Sequence, residues 1–192
     1  ANHVSRRCSW FTNWLAGNSR YSGYFIEFDP AFDVSNVTRP RTSPLFHRYR
    51  RANDSEAKVW TTFSEDQIDI NMAGIATLVE MTDVLLGYIA RGASMIRLDA
   101  VGFLWKESGT NCMHLPQTHA VVQLWRALID YLKPGTQIIT ETNVPHAENI
   151  SYFGNGSDEA HQVYQFALPP LVLHAFTAVT TETLSRWAAI IT

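Results

Sequence analysis

Met95-Ile96-Arg97-Leu98-Asp99 decides the fold: three apolar residues around an arginine, closed by an aspartate, in a run too short for a helix. It reads as a short buried strand that ends in charge. Upstream, Ile75, Leu78, Val79, Thr82, Leu85, Leu86 and Ile89 keep the i, i+3, i+4, i+7 rhythm of an amphipathic helix. Asn71 is the expected cap at its start, and Gly92 follows its last turn. Downstream, a loop through Lys106 and Pro116 leads to a second helix with Val121, Val122, Trp125, Leu128, Ile129 and Leu132 on one face, stopped by Pro134-Gly135. Gln137-Ile138-Ile139-Thr140-Glu141 repeats the first pattern, another short strand ending in charge. A third strand is expected from Val163 to Leu168, halted by Pro169-Pro170, with helices over Leu171 to Ala178 and Thr183 to Ile191.

This alternation of strand and helix predicts a parallel sheet with helices outside it. An open doubly wound sheet and a closed (β/α)8 barrel both satisfy it. No GxGxxG and no P-loop is present, so the open nucleotide-binding sheet lacks its signature. Residues 1 to 63 behave differently, mixing short apolar runs with Gly17, Gly23, Pro30, Pro40 and Pro44. They read as irregular, with Tyr24-Phe25-Ile26-Glu27-Phe28 as a short strand. So long an irregular stretch in a compact enzyme is a functional loop or a small subdomain.

Bulk composition sets the outer limits. The 192 residues are 46% apolar and 17% charged, enough to build a core and too apolar for disorder. A net charge of −3 gives no electrostatic reason to expect a nucleic acid or an acidic membrane surface. Cys8 and Cys112 form no CxxC and no cluster with histidine, which reads as two reduced thiols. No apolar run is long enough to span a bilayer.

Arg97 and Asp99 stand two apart on a strand, so both point to one side, the interior in a barrel. Taken alone, the pair is an internal salt bridge. Glu141 changes this, because it ends a strand one βα unit later, and the C-terminal ends of all barrel strands open on the face where active sites sit. Two carboxyls about 5 Å apart are what a retaining glycosidase uses as nucleophile and acid, although strand-end carboxylates also bind metals. His3 is as much a packed histidine as a site residue. Arg39-Pro40-Arg41 is a solvated basic turn or an anion clamp. Phe63 is a core plug or a pocket wall, with Gln67 nearby.

Ile96-Arg97-Leu98-Asp99-Ala100-Val101-Gly102 resembles the second conserved region of glycoside hydrolase family 13, the α-amylase superfamily. Asn2-His3 resembles the end of the first region and Ile139-Thr140-Glu141-Thr142-Asn143 the third, in the right order and spacing. The strings Val59 to Ile70, Lys106 to Cys112 and Phe166 to His174 are similar to the sucrose phosphorylase subfamily. The run from Glu141 to Asn149, continued by Ile150 to Gly154, looks more like relatives acting on glucosylglycerate, glucosylglycerol or sucrose 6-phosphate, with the glucosylglycerate type held ahead.

The resemblance implies a partial (β/α)8 barrel: the end of the third strand plus an inserted B-type subdomain over residues 1–63, and central βα units over 64–192. It implies a retaining phosphorylase in which Asp99 attacks the anomeric carbon of an α-glucoside and Glu141 protonates the leaving group. Inorganic phosphate then gives α-glucose 1-phosphate. Arg97 would orient Asp99, His3 would bind the glucosyl unit, Phe63 and Gln67 would line its pocket, and Arg41 would bind phosphate. Asn143 and His146 would face the non-glucose half of the substrate. Asn2 matches a calcium-ligand position of many amylases, but the phosphorylase group does without the ion, so no metal or other cofactor is expected. Nor is a nucleic acid or membrane partner; the complete enzyme is expected to be cytoplasmic and a homodimer. A full barrel takes roughly 250 residues; two strands would precede Ala1 and the region bearing the third catalytic carboxylate would follow Thr192. The isolated chain is therefore expected to be inactive and poorly folded. A hydrolase or transglucosidase of the same superfamily is the alternative, and a non-catalytic barrel fragment the second.

Overall fold

A computed structural model describes residues 1–191. The strand β1 (His3–Ser5) is short and reaches far along the chain for its partner. It pairs antiparallel with β4 (Gln67–Asp69), His3 opposite Asp69. Between them lie the helix α1 (Ser9–Leu15) and an antiparallel hairpin, β2 (Phe46–Arg50) against β3 (Glu56–Trp60). The stretch expected to be irregular apart from Tyr24–Phe28 thus carries a helix and a hairpin. Tyr24–Phe28, expected as a strand, makes only single bridges, Phe25 to Ile70 and Glu27 to Val59.

Packing explains the hairpin. Tyr49 points inward between the exposed Arg48 and Arg50, and its ring meets Phe11 of α1 edge-on at 4.9 Å. Phe11 also contacts Trp14 and Phe25, so α1, the hairpin and the Tyr24–Phe28 segment share one aromatic cluster. The turn places Asp54 at φ +65°, a left-handed conformation that aspartate tolerates.

The second half follows the expected alternation. The helix α2 (Ile75–Ala90) leads to β5 (Met95–Leu98), then α3 (Pro116–Leu132) to β6 (Gln137–Thr140). A short helix, α4 (His146–Ile150), precedes β7 (Gln162–Val163). The strands β5, β6 and β7 form one parallel sheet in that order. Beyond it come α5 (Leu168–Thr177) and α6 (Glu182–Ile191).

Three expectations shift. The cap of α2 is Gly74; Asn71 instead binds the main-chain oxygen of Gly23 and accepts the N–H of Ala73. Ile75 and Val79 lie at the edge of the helix's apolar stripe and stay exposed, while Thr77, Leu85 and Ile89 are buried. The third strand stops at Val163, and Pro169-Pro170 opens α5 rather than ending a strand, because the first turn of a helix does not use its N–H groups. No helix among the described residues is long and apolar enough to cross a membrane.

One core runs through both halves. Ile68, Val59 and Tyr49 join Leu98, Val101, Trp125, Ile129 and Ile138 in a single cluster. A buried polar tie accompanies it. Asp69 has no exposed surface and accepts hydrogen bonds from Asn2 Nδ2 (2.8 Å), the Thr62 amide (2.8 Å) and Thr62 Oγ1 (2.6 Å). Lys106, its side chain nearly enclosed, meets Asp69 Oδ2 through Nζ at 2.7 Å, and donates to Asn2 Oδ1 at 2.6 Å and to the main-chain oxygen of Phe103. Substituting Lys106→Met in the full-length protein should lower its unfolding free energy by about 3–5 kcal/mol, the usual cost of leaving one partner of a buried pair alone. Denaturant titration measures it, and a loss below about 1 kcal/mol would show that Asp69 does not depend on the ammonium.

Candidate active site

The parallel register of β5 and β6 sets Arg97 beside Ile139 and Leu98 beside Thr140. Asp99 and Glu141 therefore leave the two strands at the same level, and the Glu141 amide donates to the Leu98 oxygen at 3.1 Å. Arg97 sits between the two carboxylates. Its Nη1 meets Asp99 Oδ1 at 2.7 Å and its Nη2 lies 3.7 Å from Glu141 Oε2. Partial burial works against the guanidinium charge, but the hydrogen bond and charge of Asp99, with Glu141, outweigh it and raise the arginine's pKa. The Tyr164 ring, 5.2 Å away, covers its flank.

Ala100 ties the loop to the second carboxylate. It is buried at φ +49°, a left-handed conformation uncommon for a residue with a Cβ, and its N–H donates to Glu141 Oε2 at 2.9 Å. One oxygen of Glu141 is thereby fixed by a main-chain donor.

His3 approaches from β1, its Nε2 lying 3.8 Å from Asp99 Oδ2. Ser64 Oγ donates to Gln67 Oε1 at 2.7 Å, which turns the Gln67 amide nitrogen toward His3 Nε2 at 2.9 Å. In that arrangement His3 accepts at Nε2 and carries its proton on Nδ1, which is buried without a hydrogen-bond partner. Burial accordingly holds the His3 pKa below its ordinary value, with Asp69 opposing. The Phe63 ring lies tilted beside His3 at 5.4 Å and meets Phe103 edge-on at 5.3 Å, forming an apolar wall.

A cavity of about 790 Å³ opens on the Glu141 side of this group, lined among others by Phe63, Phe103, Glu141, Asn143 and Arg41, whereas Asp99, Arg97, His3 and Gln67 are not among its lining residues. That is a size suited to a small ligand. Arg41 is exposed and Phe63 half-buried, so the sequence's basic turn does reach the cavity. His146 does not line it; it borders a separate pocket of about 430 Å³ with Asn143, Tyr164 and Trp187. Sequence reasoning passed over His114 and Glu148, which line the main cavity. No spacing flags His114, because the loop that carries it has no period.

The α-amylase catalytic-domain family matches residues 1–190 of the chain. Glucosylglycerate phosphorylase of Escherichia coli (strain K12) is 54% identical over 187 residues, 97% of the chain but 34% of that protein. Glucosylglycerate phosphorylase of Spirochaeta thermophila is 53% identical over 187 residues, again 97% of the chain, and 32% of that protein. The chain thus spans about a third of the length of these curated relatives. Among solved structures, sucrose 6F-phosphate phosphorylase from Thermoanaerobacter thermosaccharolyticum superposes with a TM-score of 0.79 at 25% identity, over 96% of the chain and 40% of that protein. The parallel strands are accordingly a sector of a (β/α)8 barrel, as the family resemblance implied.

Burial depresses the pKa values of His3, His114 and His161 alike. The unfolded chain then takes up protons that the folded one refuses, so stability falls as pH drops through and below about 6.5. Denaturation midpoints of the full-length protein should fall from pH 7.5 to pH 5, and His114→Asn should make that fall shallower. An identical pH slope in the variant would show that His114 titrates normally in the fold.

Proposed function

The chain belongs to the α-amylase catalytic-domain family, and on that premise we propose that it forms the central part of a retaining α-glucoside phosphorylase. The observation that carries the reading is Arg97 clasped between Asp99 and Glu141 at the ends of adjacent parallel strands. Asp99 attacks the anomeric carbon while Glu141 gives its proton to the departing oxygen, leaving a β-glucosyl ester on Asp99. A phosphate oxygen then displaces Asp99 from the opposite face, and α-glucose 1-phosphate leaves with the original anomeric configuration. Two inversions give net retention.

Each remaining residue has a role set by its neighbours. Arg97 orients the Asp99 carboxylate through its 2.7 Å bond, and the Ala100 N–H orients Glu141. His3 and Gln67 hydrogen-bond the glucosyl unit beside the Phe63 wall. Arg41, from residues 1–63, which hold the end of the third barrel strand and the inserted subdomain, binds phosphate from the cavity lining, since a guanidinium matches phosphate oxygens. Asn143 lies on the acceptor side, with His146 behind it in the neighbouring pocket. Residues 64–192 supply the barrel; Thr192 lies outside the described residues. The acceptor is glycerate, a reading supported by relatives of that name at 54% and 53% identity. The phosphorylase reading favours the cytoplasm for the complete enzyme, because keeping the energy of the glucosyl bond as a sugar phosphate is useful only inside the cell.

The direct test uses the full-length protein with α-glucose 1-phosphate and glycerate, glycerol, fructose or fructose 6-phosphate, plus a control without acceptor. Phosphate should appear with glycerate above all, and Asp99→Asn should reduce its release by about a thousandfold or more. Release that is equal with and without acceptor would instead identify a hydrolase. Arg41→Ala should lower phosphorolysis by about tenfold or more while hydrolysis of the same glucoside falls far less. Equal losses in the two reactions would remove Arg41 from the phosphate site.

A further inference from the structure

The loop between β5 and α3 carries Thr110-Asn111-Cys112-Met113-His114, and of these five residues Cys112 and His114 adopt left-handed backbone conformations at φ +51° and +54°. The His114 amide closes the loop by donating to the Gly102 oxygen at 2.9 Å. Its imidazole then packs against Gly102, where a Cβ would come within 2.8 Å of the ring. Only glycine leaves room for the ring there. On the other side, His114 Nδ1 is 2.8 Å from the hydroxyl of Tyr152, a fully buried residue. Backbone, glycine and tyrosine together hold one ring in one place.

The hydrogen bonds also settle its proton. Among the described residues the buried Tyr152 hydroxyl has no hydrogen-bond acceptor other than His114 Nδ1, so it donates there. His114 therefore accepts at Nδ1 and carries its proton on Nε2. That Nε2 is buried without a hydrogen-bond partner. The nearest charge is Glu148 Oε2, at 3.6 Å, beyond hydrogen-bond reach. Both residues line the cavity that also holds Glu141 and Arg41. The Glu148 side chain is 53% exposed, so it is free to draw aside and admit a ligand atom. With Glu148 drawn aside, an oxygen can sit about 2.8 Å from both groups.

We propose that His114 and Glu148 form a clamp for a free hydroxyl of the acceptor, which accepts from His114 Nε2–H and donates to the Glu148 carboxylate. The proposal rests on the phosphorylase reading above. It specifies the acceptor as a small polyhydroxy acid rather than a simple hydroxy acid. The acid group of such an acceptor is repelled by Glu148, so the clamp takes a hydroxyl and leaves the acid group to other parts of the cavity.

Glycerate and lactate separate the idea from its alternatives. Each offers a hydroxyl for glucosylation, but only glycerate keeps a second one for the clamp. The full-length protein is charged with α-glucosyl fluoride, and the glucosyl group is partitioned between water and each acceptor. The unsubstituted protein should favour glycerate over lactate by about tenfold or more, the usual effect of a hydrogen bond to a charged group. Glu148→Ala and His114→Phe should each bring that preference close to one. The preference is a ratio within one sample, so partial misfolding of a variant does not alter it. A preference unchanged in both variants overturns the clamp. Fluoride release with transfer to neither acceptor also overturns it while leaving the glucosyl-transfer chemistry standing. No fluoride release from the unsubstituted protein would sink that chemistry and the clamp together.

Discussion

Asp69 is a carboxylate with no exposed surface, and the segments that bring His3 up to the strand-end carboxylates are tied together through it. Four donors converge on it, from Asn2, Lys106 and twice from Thr62. They come from parts of the chain remote in sequence: the first residues, the end of the hairpin and the loop after β5. A buried anion this closely held is costly to disturb, because losing any partner leaves charge in a medium that solvates it poorly. The tie therefore fixes register. It sets β1 against β4, and in doing so sets His3, one residue after Asn2, at 3.8 Å from Asp99. Lys106 supplies the positive charge at this junction, and its bond to the Phe103 oxygen carries the constraint into the loop that walls the cavity.

From that junction outward, orientation comes from main chain as much as from side chains. Arg97 aims at Asp99 from the same strand, and the strained Ala100 turns its N–H back onto Glu141. A carboxylate held by one fixed donor keeps its second oxygen for other work, which is what a group alternating between acid and base requires. The same economy appears at His114, where one ring nitrogen is spent on Tyr152 and the other is left for the cavity. Preorganised groups of this kind need little rearrangement when a substrate arrives.

The sheet and its charged strand ends were legible because they obey period and position. Met95–Leu98 and Gln137–Thr140 are strands where the sequence put them, and Arg97, Asp99 and Glu141 meet as their place at the strand ends required. The hairpin was missed because β2 alternates charge with a single inward tyrosine, Tyr49, and its burial depends on Phe11, more than thirty residues away. Asn53 and Asp54 in its turn were the available signal. Pro169-Pro170 was read as a stop when it is a start, a choice that proline alone does not make. His114 was invisible for a deeper reason: its placement comes from Gly102 and Tyr152, contacts that no local pattern encodes. His146 follows Glu141 closely in sequence yet faces another pocket, because α4 turns it away from the main cavity.

The central claim is that Asp99 becomes covalently glucosylated, and peptide mass mapping of the full-length Glu141→Gln variant after exposure to α-glucosyl fluoride tests it most directly. Fluoride leaves without help from an acid, whereas breakdown of the ester needs the group that the substitution removes, so the intermediate should accumulate. The account predicts one added glucosyl unit on the peptide containing Asp99. A label on another residue, or none while fluoride is still released, would contradict it.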